Sequence, residues 1–204
     1  MTDVGQEQLG RSPVLDSYAD GVTAIANAGS QVSNWDAETP CGTWKTLDLA
    51  GHLLAIVRYY HRLLDASSEG HPIDGLPRGS ELAEMNARDL DALVEMRGPE
   101  RLEAFGELAD LHLQRLHEAS WDETLGTWAG LGPLTVGEHT GIAIGEWHVH
   151  AWDLARASGG DHTPADPRTV RDGQHIVRRA EEPGDPWLAV LRGYERNPDW
   201  VPWV

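Results

Sequence analysis

Glu146 and His150 stand four residues apart in the stretch GEWHVHAWDLARASG. A spacing of four returns to the same side of an α-helix one turn further along, so a carboxylate and an imidazole placed this way can share one cation. E-x-x-x-H recurs by chance, but here the surroundings are Ile142, Ile144, Trp147, Val149, Trp152 and Leu154. These leave little polar surface for a lone carboxylate, whose burial is costly unless it is paired, hydrogen-bonded or bound to a cation. A further imidazole, His52, sits in LAGHLLAIV among Leu49, Leu53 and Ile56. Helical bundles assemble metal sites from inward-pointing carboxylates and imidazoles on facing helices. His52, Glu146 and His150 are therefore the candidate ligands of a divalent cation. Such a set leaves coordination positions open and suits zinc, nickel, iron and manganese. A closed structural zinc site would need more thiolate than the single Cys41.

The neighbours have readings of their own. Asp48 lies one turn before His52, and Asp153 lies three residues after His150. Either carboxylate could accept the spare imidazole N–H and fix its tautomer; Asp48 could equally serve a helix N-terminus, and Asp153 a surface pair. His148 falls on nearly the opposite face and is the poorer ligand. His139 precedes Glu146 by seven residues, on the same stripe but about 10 Å away along the axis. One ion cannot take both, which places His139 at the pocket mouth, as a substrate contact, a proton shuttle or an ordinary half-exposed side chain. The chain has nine tryptophans against one phenylalanine; Trp44 and Trp147, next to the ligands, are the expected pocket walls. Cys41 has no histidine beside it in sequence and reads as a half-buried thiol. His61, His71, His112, His117, His162 and His175 fall on predicted polar faces or in loops.

These side chains need helices to hold them. Val14, Leu15, Tyr18, Val22 and Ile25 recur at helical spacing, which predicts a first helix ending near Gly29. After a loop broken by Pro40 and Gly42, Thr46 reads as the N-cap of a helix running to about Ala66, with Asp48 in its first turn. SSEGHPIDGLPRGS reads as a linker, followed by a third helix from about Ser80 to Gly98-Pro99. A fourth opens at Pro99, with Leu102, Leu108, Leu111, Leu113 and Leu116 along its apolar side. WDETLGTWAGLGPL reads as a connection without a hairpin signature. Thr135 caps a long helix to about Ser158 that carries Glu146 and His150; a short helix over Arg168–Ala180 and a Pro/Trp-containing tail follow. Four long helices without alternating strand runs predict an all-α four-helix bundle over residues 1–160, with residues 161–204 packing on it.

Composition narrows the partners. With 33 acidic and 16 basic side chains the formal net charge is −17, a field that repels phosphate backbones and anionic lipid. No apolar run approaches the roughly 20 residues of a membrane span, and the N-terminus has no basic start or apolar stretch of a secretory signal. A lone cysteine cannot form an internal disulfide, so a reducing cytoplasm is the expected compartment. Nucleic acid and membrane are poor partners, and a small molecule is the expected one. The tail tryptophans fit either docking on their own bundle or packing across a homodimer.

TPCGTWKTLDLAGHLL and GEWHVHAWDLARASG, with the ending WLAVLRGYERNPDW, resemble the signatures of the mycothiol-dependent maleylpyruvate isomerase-like family of the DinB-like superfamily. The resemblance implies a DinB-like four-helix bundle binding a divalent metal, often zinc, through the positions of His52, Glu146 and His150. It also implies that the metal activates a low-molecular-weight thiol, mycothiol in actinobacteria, for isomerisation or S-transfer on a small electrophile. The founding isomerase has a further C-terminal domain that contributes to its active site, whereas only 45 residues follow Gly159 here; maleylpyruvate is accordingly not the expected substrate. Hydrolysis by activated water on the same site, and a non-catalytic metal- or ligand-binding stress-response module, are the competing expectations.

Overall fold

The structure, a computed structural model, describes residues 10–71, 73, 80–128, 131–175 and 184–201. It is mostly helical. Four long helices build the bundle: α1 (Arg11–Gly29), α2 (Thr46–Ser68), α4 (Gly98–Glu118) and α5 (Val136–Ala157). A shorter α3 (Ser80–Asp91) lies against α2, and α6 (Pro167–Gly173) and α7 (Pro186–Gly193) follow α5. Half of the linker expected at 67–80 lies outside the described residues, as do residues 176–180 of the short helix and the last three residues of the tail.

Helix starts follow local chemistry. Thr135 accepts from Glu138 N–H while Glu138 accepts from Thr135 N–H at 2.8 Å, the reciprocal arrangement that satisfies two donors at a helix N-terminus. The start of α2 differs from expectation. Lys45 occupies the cap position, and the Thr46 hydroxyl donates to Asn34 O at 2.9 Å instead. Asp48 closes that turn, its carboxylate accepting from Lys45 N–H at 3.0 Å.

Packing explains why α5 is apolar nearly all round. One face joins the main core with Tyr18, Leu53, Tyr60 and Phe105 through Ala143, Ile144, Trp147 and Ala151. Its other face supplies Val149 and Trp152 to a second cluster with Val170 of α6 and Trp187, Val190, Leu191 and Tyr194 of α7. Gly141 and Gly145, one turn apart, make the α6 side possible. A Cβ at Gly145 would lie 2.2 Å from the Gln174 amide, and one at Gly141 would lie 3.0 Å from Gly173 O.

Three segments depart from the sequence reading. The expected connection at 121–134 contains a hairpin, β1 (Thr124–Trp128) antiparallel to β2 (Gly132–Thr135). A register irregularity between Thr124 and Gly126 buries Leu125 and Gly126 in succession, and a bulge of that kind erases the inside-outside alternation that marks a strand. On α4 Leu102, Leu108, Leu113 and Leu116 join or pack against the core as expected, but Leu111 is exposed and the buried face also includes Arg101 and His112. Helix α3 stops at Asp91 because the Leu93 and Met96 carbonyls accept from the buried Arg101 guanidinium, at 2.7 and 3.0 Å.

Arg101 also donates to Leu47 O at 2.9 Å and so ties α4 to the first turn of the helix that carries His52. Arg101→Met would leave three carbonyls without their charged donor. At about 1 kcal/mol or more for each buried acceptor, the expected loss is on the order of 3 kcal/mol, a fall of roughly 6–12 °C in Tm for a chain of this size, readable by calorimetry.

Candidate metal centre

His52 on the second turn of α2 and the Glu146/His150 pair on α5 meet across the helix interface. The distances are 3.9 Å from His52 Nε2 to Glu146 Oε2 and 3.3 Å from His150 Nε2 to the same oxygen. One ligand atom from each of the three residues lies within 4.8 Å of the other two. The two imidazoles stand edge to face, centroids 5.1 Å apart. Around a tetrahedral zinc with ligand bonds near 2.0–2.1 Å, donor atoms sit about 3.3 Å apart. The His150 nitrogen and the carboxylate oxygen already match that separation, the His52 nitrogen is 0.6 Å too far from the same oxygen, and all three donors stay within 4.8 Å of one another. The imidazole side chains are 10% and 4% exposed and that of Glu146 is 22% exposed, so the carboxylate marks the open side.

Electrostatics follow from this convergence. Burial pushes the Glu146 carboxyl up, but the two imidazoles bonded to it hold it well below the usual carboxylate range. His52 is lowered by its burial, against the pull of Glu146 and of Asn86 on α3. His150 is pushed down by burial and raised on balance by Asp153 and Glu146.

The loop before α2 brings two more groups. Thr39 Oγ1 donates to Trp44 O at 2.7 Å and accepts from Cys41 N–H at 3.1 Å. Gly42, at φ 63°, makes the left-handed turn between them, a conformation that favours glycine. The resulting compact loop sets Trp44 against His52, with ring centroids 4.7 Å apart. It also brings Cys41 within 4.8 Å of donor atoms of His150 and Asp153, so the histidine missing beside Cys41 in sequence is supplied in space. Burial, reinforced by the Asp153 and Glu146 charges against Arg196, pushes this thiol up to about 12 and keeps it protonated.

Other sequence-derived candidates fall elsewhere. Asp153 accepts from His150 Nδ1 at 3.0 Å, whereas Asp48 is spent on the α2 N-terminus, where free N–H groups draw it. Trp147 is no pocket wall: it is completely buried among Tyr18, Tyr60 and Phe105, because it lies about 100° around α5 from Glu146. His139 is not at a mouth; β1 covers it with Trp128, Tyr60 meets it edge-on, and desolvation lowers it to about 3. His148 is fully buried against Ser17 and His162. His112, expected on a polar face, is buried with Nδ1 3.0 Å from the Tyr18 hydroxyl. Two partners of the site were not singled out from the sequence: Asn86, and Arg196 in the family-like ending of the tail, which forks onto Asp153.

Residues 18–155, from the middle of α1 to the last turns of α5, match the family described as mycothiol maleylpyruvate isomerase N-terminal domain, a DinB-like fold. The chain belongs to that family. No curated protein and no solved structure matches it. The matched span contains His52, Glu146, His150 and Asp153 and stops short of α6 and α7. Among the described residues no helix is long and apolar enough to cross a membrane.

Proposed function

We propose that this protein is a divalent-cation-dependent transferase or isomerase that joins a low-molecular-weight thiol of the mycothiol type to a small electrophile. The observation that carries the reading is the convergence of His52 Nε2, His150 Nε2 and a Glu146 oxygen on one point, open on the carboxylate side. His52, Glu146 and His150 hold the cation, zinc in this reading. Once bound, the cation supplies the positive charge that lowers the pKa of a coordinated thiol.

The chain's own groups do the rest. Asp153 keeps the proton of His150 on Nδ1 and turns Nε2 toward the site. Trp44, its ring tilted against that of His52, forms an apolar wall of the site and shields the reacting atoms from water. Burial pushes the Cys41 thiol up to about 12, which disfavours it as a nucleophile in the metal-free protein. The family's printed description, which couples mycothiol with an isomerase, supports a thiol cosubstrate.

The test is a conjugation screen on zinc-loaded protein with mycothiol, simpler thiols and no thiol, against a panel of small electrophiles. Turnover that requires both thiol and zinc is the expected result. Turnover independent of thiol would replace the reading with a hydrolase, and unfolding on chelation with no turnover would replace it with a binding module.

A further inference from the structure

We infer that Arg196, which lies beyond the family-matched span, is a positioning residue of the metal centre. It locks the Asp153 carboxylate and, through it, the ring orientation and tautomer of His150. This rests on the reading of His52, Glu146 and His150 as a cation site.

Arg196 Nε donates to Asp153 Oδ1 at 2.8 Å and Nη2 donates to Oδ2 at 2.9 Å. Its remaining nitrogen, Nη1, donates to Tyr194 O at 2.7 Å, so the guanidinium plane is fixed on both sides. The Asp153 side chain is fully buried and that of Arg196 is 10% exposed. A two-pronged pair shielded from water imposes direction as well as charge. Oδ2 of the same carboxylate accepts from His150 Nδ1 at 3.0 Å. With the proton on Nδ1 the lone pair belongs to Nε2, the atom 3.3 Å from Glu146 Oε2. Without the guanidinium, Asp153 would be a buried carboxylate with one neutral partner, a strongly unfavourable state. It would then turn away, and His150 would lose the contact that selects its tautomer.

The backbone is shaped to deliver this side chain. After α7, Arg196 N–H returns to Leu191 O at 2.9 Å and Glu195, a non-glycine residue, adopts φ 59°. That left-handed residue reverses the chain and brings Arg196 back onto α5. The docking of α7 itself rests on the apolar cluster of Trp152, Trp187, Val190, Leu191 and Tyr194, and Arg156 holds the chain further along through Trp200 O. Losing the Arg196 side chain therefore leaves the helix in place.

Full-length R196Q, R196K, D153N and D153N/R196Q proteins should be compared with wild type by chelator competition for zinc. In parallel, the ring nitrogen chemical shifts of His150 should be recorded in metal-free protein. Partners that orient a ligand typically contribute 10–100-fold in metal affinity, so R196Q is expected to bind zinc roughly 10–100-fold more weakly and to show mixed His150 tautomers. R196K should recover only part of the loss, because an ammonium cannot make the fork. D153N/R196Q should be no weaker than D153N, because both act through one imidazole. Zinc affinity of R196Q within twofold of wild type, with an unchanged tautomer, would overturn the inference. If R196Q does not fold, R196K decides, and wild-type affinity there overturns it equally. If wild type itself takes up no zinc, the cation reading falls and the tautomer measurement alone decides the role of Arg196.

Discussion

His150→Ala is expected to lower zinc affinity by more than 100-fold and to take thiol-dependent turnover to background. The magnitude follows from what is removed. A partner that merely orients a ligand contributes roughly 10–100-fold, and His150 Nε2 is itself one of the three donors, 3.3 Å from the Glu146 oxygen. The fold should survive, because Asp153 keeps its paired contacts with Arg196 and α5 keeps two apolar faces. His52→Ala should behave alike, since it removes the donor that α2 contributes. Metal content of purified proteins, chelator competition and the thiol-transfer assay provide the readouts. A metal-free variant with full activity would refute the site.

Acid should unfold the bundle earlier than its carboxylates require. Desolvation holds His139 at about 3, and His148 at about 4 with help from His162. A histidine in the unfolded chain titrates near 6.5. Between these values the unfolded chain binds more protons than the folded one, so stability is full above about pH 6.5 and declines as the pH falls. From pH 7 to pH 5 each of the two buried imidazoles accounts for a loss of about 2 kcal/mol, about 4 kcal/mol together. His112, lowered by burial and by neighbouring His139, acts in the same direction. Urea midpoints at the two pH values, taken with chelator present so that metal release does not contribute, measure the effect. His139→Leu, packed between Tyr60 and Trp128, should reduce the pH 7 to pH 5 loss by about 2 kcal/mol. An unchanged dependence in that variant would place the titrating groups elsewhere.

Much of the bundle was legible before any coordinates. Apolar residues at helical spacing located α1 and α2, and Thr135 marked the start of α5. The same logic put Glu146 and His150 on one side of one helix, because that relation needs only the helical pitch. It failed where the buried face is not apolar. On α4, Arg101 and His112 face inward and Leu111 outward, since buried polar groups with partners are stable there and partners are invisible in one dimension. Alternation failed at β1 because of its irregular register.

What the sequence determined by itself is thus local: helices, their caps, and which side chains share a turn. The assignments among separated segments were decided by tertiary packing. That packing brought His52 to the α5 pair, buried Trp147 and His139, and carried Arg196 from the tail to Asp153. The physical reason is range. Backbone geometry correlates residues a few positions apart, whereas contact between segments 43 or more residues distant is fixed only when apolar faces and small-residue gaps lock helices in one register.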